Sequence, residues 1–187
     1  MITILYEDSR TSEGDFAFHR LVLRLIVDEH GERWTAADLH ARVKANPRKG
    51  NAKVLAEAAS KAGLAENLVA VLDSDRAHEL VALTPGDPGL ERALRDKGGG
   101  CEVVLLVKSL ESVIEALRDG SQLSRVPPET FVRALQKRRP EREDVLRAAS
   151  HEAERAARDD LRTRVPSLVV LAQTIVRALE LEDDSSR

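Results

Sequence analysis

The sequence predicts an α/β fold: a small, mostly parallel sheet flanked by helices, with a C-terminal helical section. Three observations carry that prediction. The apolar runs ITILY, LVAVL and CEVVLLV are short, uninterrupted and rich in β-branched residues, as strands buried on both faces are. Each is followed by apolar residues at helical spacing, the alternation that builds a parallel sheet. After Gly120 strand-like runs cease and only helical patterns remain.

Residues 2–6 form the first strand. The polar segment SRTSEGD follows, and Ser12 with Asp15 fits a helix-entry capping pattern. Phe16, Leu21, Val22, Leu25 and Ile26 mark an amphipathic helix that reaches about His30 and stops at Gly31. The stretch 33–46 fits a short edge strand or a further helix, because periodicity does not separate the two in ADLHARV. PRKGN (47–51) reads as a turn, and Val54, Leu55, Ala58 and Ala59 line a helix ending near Gly63. Residues 68–72 are the second clear strand. A variable connection with the turn signal TPGDPG and a short helix around 90–95 leads to the loop Gly98–Gly100. Residues 101–107 are the third clear strand, and Ser109 caps a helix that buries Val113, Ile114 and Leu117. Pro127 and Pro128 open a helix carrying Phe131, Val132 and Leu135; a highly charged helix spans about 141–164; Pro166 starts an apolar helix. The chain thus divides into an α/β core over residues 1–120, a helical section over 121–181 packed on it, and a frayed acidic tail over 182–187.

Composition narrows the function classes. The 187 residues suffice for one α/β core, and 42% hydrophobic with 33% charged residues describe a soluble globular protein. Aromatics at 3% leave few rings for stacking bases, which argues against a single-strand binder built on aromatic platforms. A net charge of −3 gives no global attraction to nucleic acid, so such contact needs a local basic patch. The single cysteine, Cys101, forms no intramolecular disulfide, and no Cys/His cluster has zinc spacing. MITILYED does not read as a signal peptide, and the run SLVVLA falls far short of the roughly 20 residues of a membrane span. A cytoplasmic protein without membrane contact is expected.

The chemistry-bearing pattern is a set of acids at strand ends. ITILYED ends in Glu7 and Asp8, NLVAVLDSD in Asp73 and Asp75, and EVVLLVKSLES delivers Glu111 just after Lys108. Ligand sites of open parallel sheets lie outside the carboxyl ends of the strands. Carboxylates gathered there repel one another unless a cation neutralises them, and magnesium suits a few carboxylates with waters and phosphate oxygens. Site by site there is a plainer reading: turn or cap chemistry for the DxD, and a favourable helix-dipole position for Glu111.

A strand ending in Glu, then a helix, then a strand ending in DxD resembles the Toprim fold (topoisomerase-primase domain). The pattern is most similar to small bacterial Toprim-like proteins and to nuclease domains of the overcoming-lysogenization-defect (OLD) family, over roughly residues 1–120. The resemblance implies that Glu7 is a metal ligand or general acid/base, that Asp73 and Asp75 are a metal-binding pair, and that Glu111 is the later acid. Two positions depart from the family pattern. Asp8 stands where a glycine follows the first glutamate, and DSDRAHE lacks the glycine after DxD; these imply altered substrate access or lost activity.

The expected function is a Mg2+- or Mn2+-dependent nuclease in which Glu7, Asp73, Asp75 and Glu111 hold metal and Lys108 offsets charge on the phosphate. Basic residues in two groups, Arg48, Lys49 and Lys53 with Lys44 around PRKGN, and Lys137, Arg138 and Arg139 in RALQKRRPER, are candidates for nucleic-acid contact. Small size and the lack of an ATPase motif point to a subunit of a larger bacterial assembly, such as a phage-defence system, or to a homodimer. The alternatives are a catalytically inactive interaction subunit and a phosphoacceptor receiver-like domain, whose spacing fits poorly. His151-Glu152 does not complete a zinc motif because position 155 is Arg. The histidines are scattered, with His78 near the DxD, and Trp34 and the phenylalanines read as core.

Overall fold

The computed structural model describes residues 1–7, 16–63, 67–106, 110–120, 123, 126–136 and 140–185. Strands β1 (Ile2–Glu7), β2 (Val43–Arg48), β3 (Asn67–Asp73) and β4 (Glu102–Leu106) form one sheet in the order β2-β1-β3-β4, with every neighbouring pair parallel. The predicted α/β class is what the chain adopts. Helices α1 (Ala17–His30) and α2 (Ala36–Arg42) lie between β1 and β2, and α3 (Asn51–Lys61) crosses from β2 to β3. A 3-10 segment (Ser74–Val81) and α4 (Leu90–Lys97) join β3 to β4. Helices α5 (Leu110–Asp119), α6 (Pro128–Ala134), α7 (Glu141–Ala149), α8 (Arg155–Arg164) and α9 (Pro166–Ser185) complete the chain.

The two-residue period of a strand sends alternate side chains to opposite faces. Ile4, Tyr6, Val69, Val71 and Val104 join one hydrophobic cluster with α1, α5 and the C-terminal helices, whereas Leu5, Ala70, Leu72 and Val103 join a second with α3 and α4. Each fully buried Leu, Ile or Val adds about 1.5–3 kcal/mol, so neither face is dispensable. The C-terminal helices therefore complete the wall that α1 begins. The chain leaves β1 toward β2 and later passes from β3 toward β4, in the opposite direction, so the topological switch point falls between β1 and β3. That is where open α/β sheets place their ligand crevice.

Several elements differ from expectation. The ambiguous stretch 33–46 holds both alternatives: α2, entered through a Thr35–Asp38 capping box, runs directly into β2. β2 continues through Pro47 to Arg48, so the expected turn at 47–51 shrinks; an edge strand tolerates proline because one side of it makes no ladder bonds. The helix expected over 141–164 breaks into α7, a 3-10 turn at Glu152–Glu154 and α8. At the break the fully buried Arg158 donates to Asp28 Oδ2 at 2.6 Å and to the carbonyls of Ala149 (2.8 Å) and His151 (2.5 Å). It thereby satisfies acceptors that the end of α7 leaves free. The tail is not frayed as far as Ser185: α9 extends that far, with Asp183 2.7 Å from Arg42. The capping pair Ser12–Asp15 and the cap Ser109 lie outside the described residues. Among the described residues no helix is long and apolar enough to cross a membrane.

Candidate functional site

Glu7 and Asp73 are the last residues of β1 and β3, the two strands that flank the switch point. Because Tyr6 pairs with Val71 across the ladder, both acids fall at the carboxyl edge of the sheet. They line one small cleft whose walls are otherwise apolar or aromatic, including Tyr6, Phe16, Phe18 and Leu110. Asp73 is half-buried there. Burial pushes its carboxyl up to about 8, and four further effects add in the same direction: the Glu7 charge, a Glu7 side-chain hydrogen bond, and the charges of Glu111 and Asp75. Three acids, Glu7, Asp75 and Glu111, thus act on the Asp73 carboxyl. Burial and the nearby Glu7 charge favour the protonated form of the Asp73 carboxyl when no cation is bound.

Asp73 is held by a residue that sequence reasoning did not single out. Asn51, the first residue of α3, donates from Nδ2 to the Asp73 carbonyl at 2.9 Å and accepts the Asp73 N–H on Oδ1 at 3.0 Å. Its amide engages both backbone groups of Asp73 and fixes the backbone from which the carboxylate projects. The only signal in the sequence is an Asn after Gly50 at the mouth of a helix. Beyond Asp73 the chain enters the 3-10 segment, and no residue from Ser74 to Val81 takes a positive φ. The turn after DxD therefore has no conformational need for the glycine it lacks.

Glu111 stands in the first turn of α5, and Arg142 of α7 donates to its Oε1. Arg142 also donates to the Ala134 carbonyl at 2.8 Å, so the guanidinium is anchored at two points. Arg142 falls inside the basic segment RALQKRRPER, whose Lys137, Arg138 and Arg139 lie outside the described residues, as do Asp8 and Lys108. Arg48 is engaged by Glu57, which also accepts from Asn46 at 3.0 Å and sits 3.3 Å from Lys61; its charge is spent within the fold. Lys49 and Lys53 are exposed. The histidine set contains one buried member. His19 Nε2 donates to the Val43 carbonyl at 3.3 Å, which leaves Nδ1 to accept the Tyr6 hydroxyl at 3.0 Å, and burial lowers its pKa to about 4. His78 is half-buried in the 3-10 segment.

Among the described residues no three His, Cys, Asp or Glu side chains already stand as a metal-ligand group. Magnesium retains most of its waters and needs only one or two carboxylates, and an all-oxygen donor set at an edge with excess negative charge fits such an ion. A separate cleft of about 510 Å3, between the amino ends of β3 and β4 and helix α9, contains none of the predicted acids. No family model, no curated protein and no solved structure matches the chain, so the site is read from its own residues.

Proposed function

We propose that the protein is a magnesium-dependent phosphodiester hydrolase acting on nucleic acid. The observation that carries this reading is that Glu7 and Asp73 line one cleft at the switch point of a parallel sheet, with Glu111 and Asp75 near enough for their charges to act on Asp73. Their order along the chain is that of the Toprim pattern, which supports the same reading. Glu7 and Asp73 would hold the ion, with Asp75 and Glu111 contributing through waters. A bound divalent cation supplies charge stabilisation for the phosphate and a bound water of lowered pKa. The chain itself orients the site through Asn51, narrows it with Tyr6, Phe16 and Phe18, and provides carboxylates that take up the proton the attacking water gives up.

The test is cleavage of labelled single- and double-stranded DNA and RNA by the full chain, with magnesium, with manganese and with chelator. Activity that depends on divalent metal and is lost in a Glu7→Gln, Asp73→Asn double variant supports the reading. Equal cleavage by wild type and double variant refutes it.

One observation favours a second reading, an interaction subunit that has kept the acids but not turnover: the Arg142 guanidinium already pairs with Glu111. That reading is supported by absence of cleavage together with a stable complex with a partner subunit. A thermal shift with millimolar magnesium that Asp75→Asn abolishes counts against it.

A further inference from the structure

Two walls of the acid cleft are held by one turn of a distant helix. Phe16, which immediately precedes α1, and Leu110, the first residue of α5, both line the cleft beside Glu7 and Asp73. Helix α1 brings no cap of its own: the Phe16 side chain accepts no hydrogen bond, and the first turn holds no acid. Its leading N–H groups need an acceptor from elsewhere. Glu143, 126 residues away in the first turn of α7, supplies one: its Oε2 accepts the Ala17 N–H at 3.1 Å. A carboxylate at that end also meets the positive pole of the helix. The preceding residue, Arg142, reaches the other wall. Its guanidinium pairs with Glu111 in the first turn of α5 while donating to the Ala134 carbonyl at 2.8 Å.

Both contacts lead to the acids. Phe16 and Phe18 pack edge-on against Tyr6, with ring centroids 5.0 and 5.6 Å away, and Tyr6 precedes Glu7 at the end of β1. Glu111 acts on Asp73 through its charge. Consecutive helical residues point about 100° apart, so one turn can serve two elements, and α7 packs against both α1 and α5. Taking the acid cleft as the metal site proposed above, we propose that Arg142 and Glu143 are its positioning residues, Glu143 fixing the α1 wall and Arg142 the α5 wall. Neither is among the described residues that line the cleft. An ion held by few protein oxygens depends on their spacing, and groups that orient those oxygens from outside set its affinity.

The experiment compares the full chain with its Glu143→Ala, Glu143→Gln and Arg142→Lys variants, each checked for folding by thermal unfolding. Amide hydrogen exchange in chelator reads the first turns of α1 and α5, and manganese binding is titrated by electron paramagnetic resonance. Glu143→Gln removes the charge but keeps an oxygen for the Ala17 N–H, so it should behave as wild type. Glu143→Ala should exchange faster at the start of α1 and bind manganese roughly tenfold more weakly, the low end of losses from outer-shell changes. Arg142→Lys keeps the charge but loses the fork that reaches Glu111 and Ala134 together, and should exchange faster at the start of α5 and bind severalfold more weakly. An Arg42→Ala control breaks ion pairs with Glu182 and Asp183 at the amino edge of the sheet, opposite the acids, and should keep the affinity. Wild-type affinity in both Glu143→Ala and Arg142→Lys overturns the proposal. So does equal weakening by Glu143→Ala and Glu143→Gln, which would leave only a charge effect, or equal weakening by the Arg42→Ala control. Wild type that binds no manganese refutes the metal reading instead; amide exchange then decides the clamp alone, and unchanged exchange at both helix starts overturns it.

Discussion

Replacing Asp73 with asparagine should stabilise the metal-free protein at alkaline pH. The carboxyl has its pKa raised from 3.8 to about 8, first by burial and then by Glu7, Glu111 and Asp75. Between those values the folded state binds a proton that the unfolded state has released, so stability falls as pH rises through the window. Converted in full, the displacement corresponds to roughly 6 kcal/mol at pH 8. Water reaches the half-buried group and screens the neighbouring charges, which reduces the expectation to about 2 kcal/mol. For a chain of this length that is about 4–8 °C in Tm. The side-chain amide removes the charge at nearly constant shape, and the Asn51 clamp survives because it engages only the Asp73 backbone. The assay is thermal unfolding of wild type and Asp73→Asn in chelator at pH 5 and pH 8. The variant's advantage should be small at pH 5 and grow to several degrees at pH 8, and comparing the two proteins at each pH cancels other titrations such as that of His19. Millimolar magnesium should raise the wild-type Tm and narrow the gap. A variant that is less stable than wild type at pH 8, or whose difference does not change with pH, would refute the electrostatic account of the site.

Three further outcomes follow from the geometry. Asn51→Ala removes both hydrogen bonds to the Asp73 backbone and should cost about 1–3 kcal/mol in urea unfolding, with a smaller magnesium-induced thermal shift than wild type. Asp28→Ala leaves the fully buried Arg158 guanidinium without its carboxylate and should cost about 3–5 kcal/mol, read by the same unfolding measurement. His19 has its pKa lowered from 6.5 to about 4, so the unfolded state takes up a proton first as pH falls; about 3 kcal/mol of stability present above pH 6.5 should be lost by pH 4. In a His19→Gln variant, less stable at neutral pH, that portion of the acid-side slope should be missing.

Much of the local structure was legible. β1, β3 and β4 announce themselves as apolar runs, and α1, α3, α5 and α9 as apolar stripes, because the periods of two and 3.6 residues are short-range properties. Local signals failed where tertiary partners decide. Nothing in EREDVLRAASHEAERAARDDL shows that the helix breaks near Ser150, because the break is stabilised by Arg158 reaching Asp28, 130 residues away. The acidic tail stays helical to Ser185 because Arg33 and Arg42 meet Glu180 and Asp183 from the far side of the chain.

The candidate site divides the same way. The sequence by itself determined that Glu7 and Asp73 end strands, since an acid directly after an apolar run falls at its edge whatever the sheet order. That β1 and β3 are neighbours depends on packing, and it makes two strand ends one crevice and raises the Asp73 pKa. Only the tertiary structure decided that Arg142 meets Glu111 and that Arg48 is spent on Glu57. The reason is physical. Spacing along a chain sets which face a side chain occupies, whereas the packing of distant elements sets what that face meets.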